Sequence, residues 1–115
     1  MRDKDLIRLK HMLDFTKAIL SFLQGKRRSD LDSDRLLLFG IVRELEILGE
    51  AAGKTTQTTQ ELFPDIPWRQ LVGMRNRLIH AYFDVDHDVI WRTATENLPH
   101  LCLQLEKAVS KLKTA

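Results

Sequence analysis

The stretch from Trp91 to Leu112 reads W-R-T-A-T-E-N-L-P-H-L-C-L-Q-L-E-K-A-V-S-K-L. Trp91, Ala94, Leu98, Leu101, Leu105, Ala108 and Leu112 recur at steps of 3, 4, 3, 4, 3 and 4. A helix completes a turn in 3.6 residues, so this alternation places all of them on one face. Pro99 falls inside the register, where it has no N–H to donate and its ring crowds the preceding turn. The pattern therefore predicts one helix starting near Asp86, with a kink at Pro99.

The same period runs upstream. From Asp3 to about Gln24, Leu6, Leu9, Leu13, Leu20 and Leu23 form one stripe, with Met12, Phe15, Ile19 and Phe22 beside it. The two cover an arc of roughly 200°, wider than a helix packed on one side requires. This helix is expected to bury two flanks, in a bundle or at a subunit interface, and to stop at Gly25 before the basic turn K-R-R-S-D. A second helix, capped near Asp32 or Ser33, carries Leu38, Ile41, Val42, Leu45, Leu48 and Ala52 to Gly53. The polar K-T-T-Q-T-T-Q and E-L-F-P follow. D-I-P-W then opens a helix, with Asp65 as cap candidate, Pro67 in the first turn, and Trp68, Leu71, Val72, Leu78 and Ile79 buried. No strand pattern and no internal repeat is visible. The reading is an all-α bundle of four to five helices in a single domain, 1–115.

Composition sets limits on function. With 115 residues, 43% of them hydrophobic, the chain can bury one core and no second. The single cysteine, Cys102, excludes an internal disulfide framework and a multi-cysteine metal site, and its place between Leu101 and Leu103 predicts a buried thiol. No run is long enough to span a membrane and M-R-D-K-D is too charged for a signal peptide, so a cytoplasmic location is expected. A net charge of +2, with acids and bases interleaved, gives no strong general field for nucleic acid, though it leaves room for a local cluster of arginines.

Two stretches imitate binding motifs. G-E-A-A-G-K-T-T at 49–56 resembles a phosphate-binding loop, but has three residues between its glycines instead of four and ends a helix instead of following a strand. His80 and His87 flank Asp84, Asp86 and Asp88, yet no spacing matches a metal-ligand set, and the acidic run is better placed to cap the last helix. His11 and His100 read as ordinary surface residues. No metal or cofactor is expected.

Residues 75–82, R-N-R-L-I-H-A-Y, are different. At 100° per residue Arg75 falls in line with Leu71 and Leu78, on the apolar side, while Asn76, Arg77 and His80 gather opposite. A permanently charged guanidinium there must find a partner. One account is an ion pair with Glu44, Glu46 or Glu50 of the second helix. The other is a phosphate: histidine moves protons near neutral pH and arginine stabilises charge on a phosphodiester, which together suffice for metal-independent RNA cleavage by the 2′-hydroxyl. A homodimer would supply two of each around a shared cleft.

R-N-R-L-I-H-A-Y matches the Arg-x4-His-x-Tyr motif of the HepT-like proteins, a branch of the HEPN superfamily of small helical ribonucleases. The resemblance extends to E-L-E-I-L-G-E-A-A, D-I-P-W-R-Q-L-V-G-M-R-N, and the spacing to V-I-W and L-P-H-L, nearly the whole chain. It implies a HEPN-like homodimer with its motif residues at the interface, acting as a metal-independent endoribonuclease toxin on tRNA or mRNA. It also implies neutralisation by an MNT-type nucleotidyltransferase antitoxin that transfers AMP to the motif tyrosine. By position, Arg75 would hold the phosphate, His80 would be the general acid/base, Asn76 a helper, and Tyr82 the AMPylated residue. Arg77 could add phosphate affinity. The competing readings are a non-catalytic module that binds a nucleotidyltransferase and its substrate, and an RNA-binding dimer without turnover. An intact Arg75/His80 pair favours the enzyme.

Overall fold

In a computed structural model, which describes residues 2–80 and 84–114, helical segments follow one another along the chain. They are α1 (Arg2–Leu23), a short α2 (Asp30–Ser33), α3 (Arg35–Lys54), a short α4 (Gln57–Leu62), α5 (Trp68–His80) and α6 (His87–Arg92). The last of these continues through a π-turn at Thr93–Asn97 into α7 (Leu98–Thr114). There is no strand among the described residues. Among the described residues no helix is long and apolar enough to cross a membrane.

The wide apolar arc of α1 has the expected consequence. Its flanks pack along α3 on one side and α7 on the other, and α3 in turn packs along α5. Leu9, Met12, Ile19 and Leu23 are buried, whereas Phe22, on the edge of the arc, is 41% exposed. The six apolar positions read in α3 are all buried, and of the seven periodic positions of the last helix only Trp91 is half-exposed. On α5 the core side shifts: Met74 is buried, Val72 is half-buried and Ile79 is exposed. The reason is that α5 lies between two neighbours, with α3 on one flank and the cavity wall of α6 and α7 on the other. Cys102 is half-buried, not fully enclosed, and burial together with nearby Glu106 raises its thiol pKa.

Helix ends depart from the sequence reading where a side chain outside the periodic pattern takes over. Gly25, at φ +76, stops α1 as expected. The cap of α3 is Asp34, whose carboxylate accepts from the Leu37 N–H at 3.0 Å, while Asp32 and Ser33 form the short α2. The start of α5 is not capped by the Asp65 side chain; the Pro67 carbonyl accepts from the Leu71 N–H, and the Asp65 carbonyl accepts from Gln104 of α7. Asp86 caps α6 by accepting from the Asp88 and Val89 N–H groups. At Pro99 the helix does not simply kink. The missing N–H is absorbed one turn earlier, where the Leu98 N–H reaches back five residues to the Thr93 carbonyl. Thr95 Oγ1 donates to the Trp91 carbonyl at 2.7 Å in the same turn.

The segment K-T-T-Q-T-T-Q is ordered by one buried acid. Asp5 of α1 is 1% exposed and accepts from the backbone N–H and hydroxyl of Thr56, the hydroxyl of Thr59 and the guanidinium of Arg8. The knot fastens the N-terminal turn of α1 to the start of α4. Burial pushes the Asp5 carboxyl pKa up, but the hydrogen bonds from Thr56, Thr59 and Arg8 outweigh burial and hold it below the usual carboxylate range. A lowered folded pKa contributes stability above the ordinary Asp value of 3.8, which is lost as pH falls through the folded value. Asp5→Ala should therefore cost about 2–3 kcal/mol at neutral pH, since it leaves charge-assisted bonds unmade. In urea titrations from pH 7 downward, the gap between wild type and Asp5→Ala should narrow below about pH 4. A gap independent of pH would remove the carboxylate from the account.

Candidate active site on α5

The motif residues up to His80 lie on the C-terminal half of α5, where the seam with α3 decides how they are presented. A Cβ built on Gly49 of α3 would lie 2.4 Å from Arg75 Cβ and 2.6 Å from the Leu71 carbonyl oxygen. No side chain can be accommodated there, so the glycine is what lets the two helix backbones approach and the stem of Arg75 lie flat on α3. One turn on, a Cβ at Gly53 would meet only the Val72 methyl at 3.4 Å, an ordinary contact. The G-E-A-A-G-K-T-T stretch is accordingly helical to Lys54, and its glycines serve helix packing.

Arg75 is half-buried, and its guanidinium donates to the side-chain oxygen of Asn76 at 3.2 Å. It makes no ion pair among the described residues, contrary to the salt-bridge account. Glu46 lies 3.7 Å from Arg43 and Glu50 lies 3.4 Å from Lys54, each engaged by a base one turn away on its own helix. Glu44 keeps one carboxylate oxygen buried, without a hydrogen-bond partner among the described residues. A partly desolvated cation is thus left for something else to neutralise.

His80 ends α5 and is exposed, at the helix terminus that favours a cation. Five residues of helix separate it from Arg75, a rotation of about 140°, so the two side chains leave α5 on different flanks. Asn76 and Arg77 are exposed between them, and Arg77 makes no ion pair among the described residues. Tyr82 lies outside the described residues. An open groove of about 780 Å³ runs along Val72, Gly73 and Asn76, with Pro64 to Arg69 as its other wall.

His87 does not join this group. Its Nδ1 is 2.7 Å from Asp32, and Arg28 bonds both Asp32 at 3.0 Å and Asp88 at 2.6 Å, a cluster that joins α2 to α6. Hydrogen bonds from His87 and then Arg28 lower the Asp32 pKa. The residue that sequence reading missed is Gly49. Its signal was present as two glycines four positions apart on one side of a helix, a pattern that suits close packing as well as it suits a phosphate loop.

Comparison with known proteins agrees with the motif. A family model described as ribonuclease HepT-like matches residues 12–108. The chain belongs to the HepT-like ribonuclease family. Among its relatives, a Thermococcus cleftensis protein named "Probable ribonuclease HepT" is 44% identical over 99 residues, covering 86% of this chain and 90% of that one. A Caldanaerobacter subterraneus protein named as an RNase is 33% identical over 105 residues, 91% of this chain and 94% of its own. A Methanocaldococcus jannaschii protein, also named as an RNase, is 31% identical over 105 residues, 91% of this chain and 87% of its own. No solved structure matches.

The seam makes its own prediction. Gly49→Ala should destabilise by about 1–3 kcal/mol through overpacking against α5, and Gly53→Ala should stay within about 0.5 kcal/mol of wild type. Equilibrium urea unfolding of the three proteins tests this; equal stabilities would show that the helices do not meet at Gly49.

Proposed function

We propose that this HepT-like protein is a metal-independent RNA endonuclease, with Arg75 and His80 as its catalytic residues and Asn76 in support. The observation that carries the reading is the unneutralised Arg75 guanidinium, half-buried against Gly49 with no acid to pair it among the described residues. A phosphodiester supplies the missing charge. In the reaction the 2′-hydroxyl oxygen attacks the adjacent phosphorus while a histidine takes its proton. The bond to the 5′-oxygen breaks and that oxygen is protonated by a second acid, leaving a 2′,3′-cyclic phosphate and a free 5′-hydroxyl. Arg75 stabilises the charge that builds on the non-bridging oxygens, and Asn76 steadies the guanidinium through the bond already in place.

Two protonation sites are needed and one chain offers a single histidine in the motif. A homodimer with the two α5 helices facing one cleft provides the second. The divergence of Arg75 and His80 around α5 supports this, because one protomer's arginine can then serve beside its partner's histidine. We propose further that the protein is the toxin of a toxin–antitoxin pair, neutralised by an MNT-type nucleotidyltransferase that adds AMP to Tyr82. The added phosphate and base would repel RNA and offer Arg75 a competing anion.

The test is cleavage of mixed tRNA in excess EDTA by wild type, Arg75→Ala and His80→Ala, with helicity followed by circular dichroism. Wild type should cut, and each variant should lose at least about 100-fold in rate with unchanged helicity. Cutting by His80→Ala would exclude the histidine from the mechanism. No cutting by a wild type whose intact mass shows no adenylyl group would favour a binding module over an enzyme. Co-expression with the transferase should add adenylyl mass to wild type and none to Tyr82→Phe.

A further inference from the structure

A second cavity lies on the other flank of α5, and the mechanism above makes no use of it. It encloses about 290 Å³ between α5 and the α6–α7 helix, at the small end of ligand pockets, which run from about 300 Å³ upward. Its floor is apolar, with Met74, Leu98 and Leu101 all buried, and its rim carries Gln70, Arg77 and Asn97. Thr93 and Asn97 of the π-turn form part of the opposite wall, where the widened turn lines the cavity.

We infer that this cavity is a base-binding subsite for the RNA nucleotide next to the phosphate that is cut, an assignment that rests on the ribonuclease reading. The chemistry of the lining selects the occupant. A flat apolar ring is accommodated by the Met74, Leu98 and Leu101 floor. The side-chain amides of Gln70 and Asn97 each offer a donor and an acceptor, which suits the mixed edge of a nucleobase and is poorly matched to a simple anion or an alkyl chain. Arg77 brings a guanidinium that pairs with no carboxylate among the described residues, and Gly73 leaves space for it, with Nη1 3.5 Å from where a Cβ would stand. Arg77 and His80 are three residues apart, about 60° around α5 and about 4.5 Å along it. A phosphate beside His80 therefore has its neighbouring nucleotide within reach of Arg77 and the cavity.

Methyl and amide NMR of the full chain tests the subsite directly, with adenosine 3′-monophosphate, adenosine and inorganic phosphate as separate probes. The Met74 methyl and the Asn97 side-chain amide should shift with the first two. Arg77→Ala should weaken the nucleotide about tenfold and leave adenosine unchanged, while Asn97→Leu should weaken both about tenfold. Shifts from phosphate alone with none from adenosine, or no movement of Met74 and Asn97 with any probe, would overturn the base assignment. Arg77 and Asn97 are exposed, so their replacement spares the core. Sequencing of cleavage ends then separates a free mononucleotide from an RNA residue: Asn97→Leu should change the base found beside the cut, and an unchanged base profile would detach the cavity from the RNA. If wild type cuts no RNA, the ribonuclease reading fails by itself, and the NMR titration still decides whether the cavity takes a base.

Discussion

The contact between Gly49 and Arg75 is the constraint from which the site follows. Two helices pack closely only where one of them offers no side chain, and α3 does so at the level of the motif arginine. The consequence is chemical as well as structural. With its stem pressed onto α3, Arg75 gives up part of its water, while Glu46 and Glu50 face bases of their own helix. A cation that is partly desolvated and unpaired among the described residues is poised for an anion from outside the chain. A larger residue at position 49 would move α5 away and return the guanidinium to solvent.

The rest of the fold holds that seam in register. The Asp5 knot ties the start of α1 to the connection between α3 and α5, so the helix that spans the core also fixes where α4 begins. At the opposite end of α5, Asp32, His87, Arg28 and Asp88 anchor the beginning of α6 to α2. These clusters differ in character. Asp5 is sealed from water and its bonds contribute to stability, whereas the α2–α6 ions are exposed, and their role is to position, since solvent-exposed pairs are weak.

Much of this could be read from residue order. Buried positions on α3 and α7 follow from 3-4 spacing, because a face that repeats with the helix period has to be covered by something. The double stripe of α1 announced two neighbours for the same reason. Helix ends were less legible. Asp32, Ser33 and Asp34 are equivalent as caps on paper, and the choice among them depends on which backbone N–H groups the turn leaves free. Pro99 pointed to an irregularity, but not to its form; a π-turn and a kink answer the same missing N–H, and the chain takes the π-turn at Thr93–Asn97. Glu44, Glu46 and Glu50 were equally plausible partners for Arg75, and no spacing rule says that none of the three would pair with it.

The sequence by itself determined that the chain is helical, where its long helices lie, and that R-N-R-L-I-H-A-Y at 75–82 has the Arg-x4-His-x-Tyr spacing that resembles the HepT-like proteins. Those are properties of period and residue type, carried by local geometry. Only the tertiary structure decided that Arg75 makes no ion pair among the described residues, that Gly49 is the reason it lies where it does, and that a cavity opens beside Arg77. Each of these depends on which side chains from distant parts of the chain meet across a seam, and spacing along one helix does not encode what stands opposite.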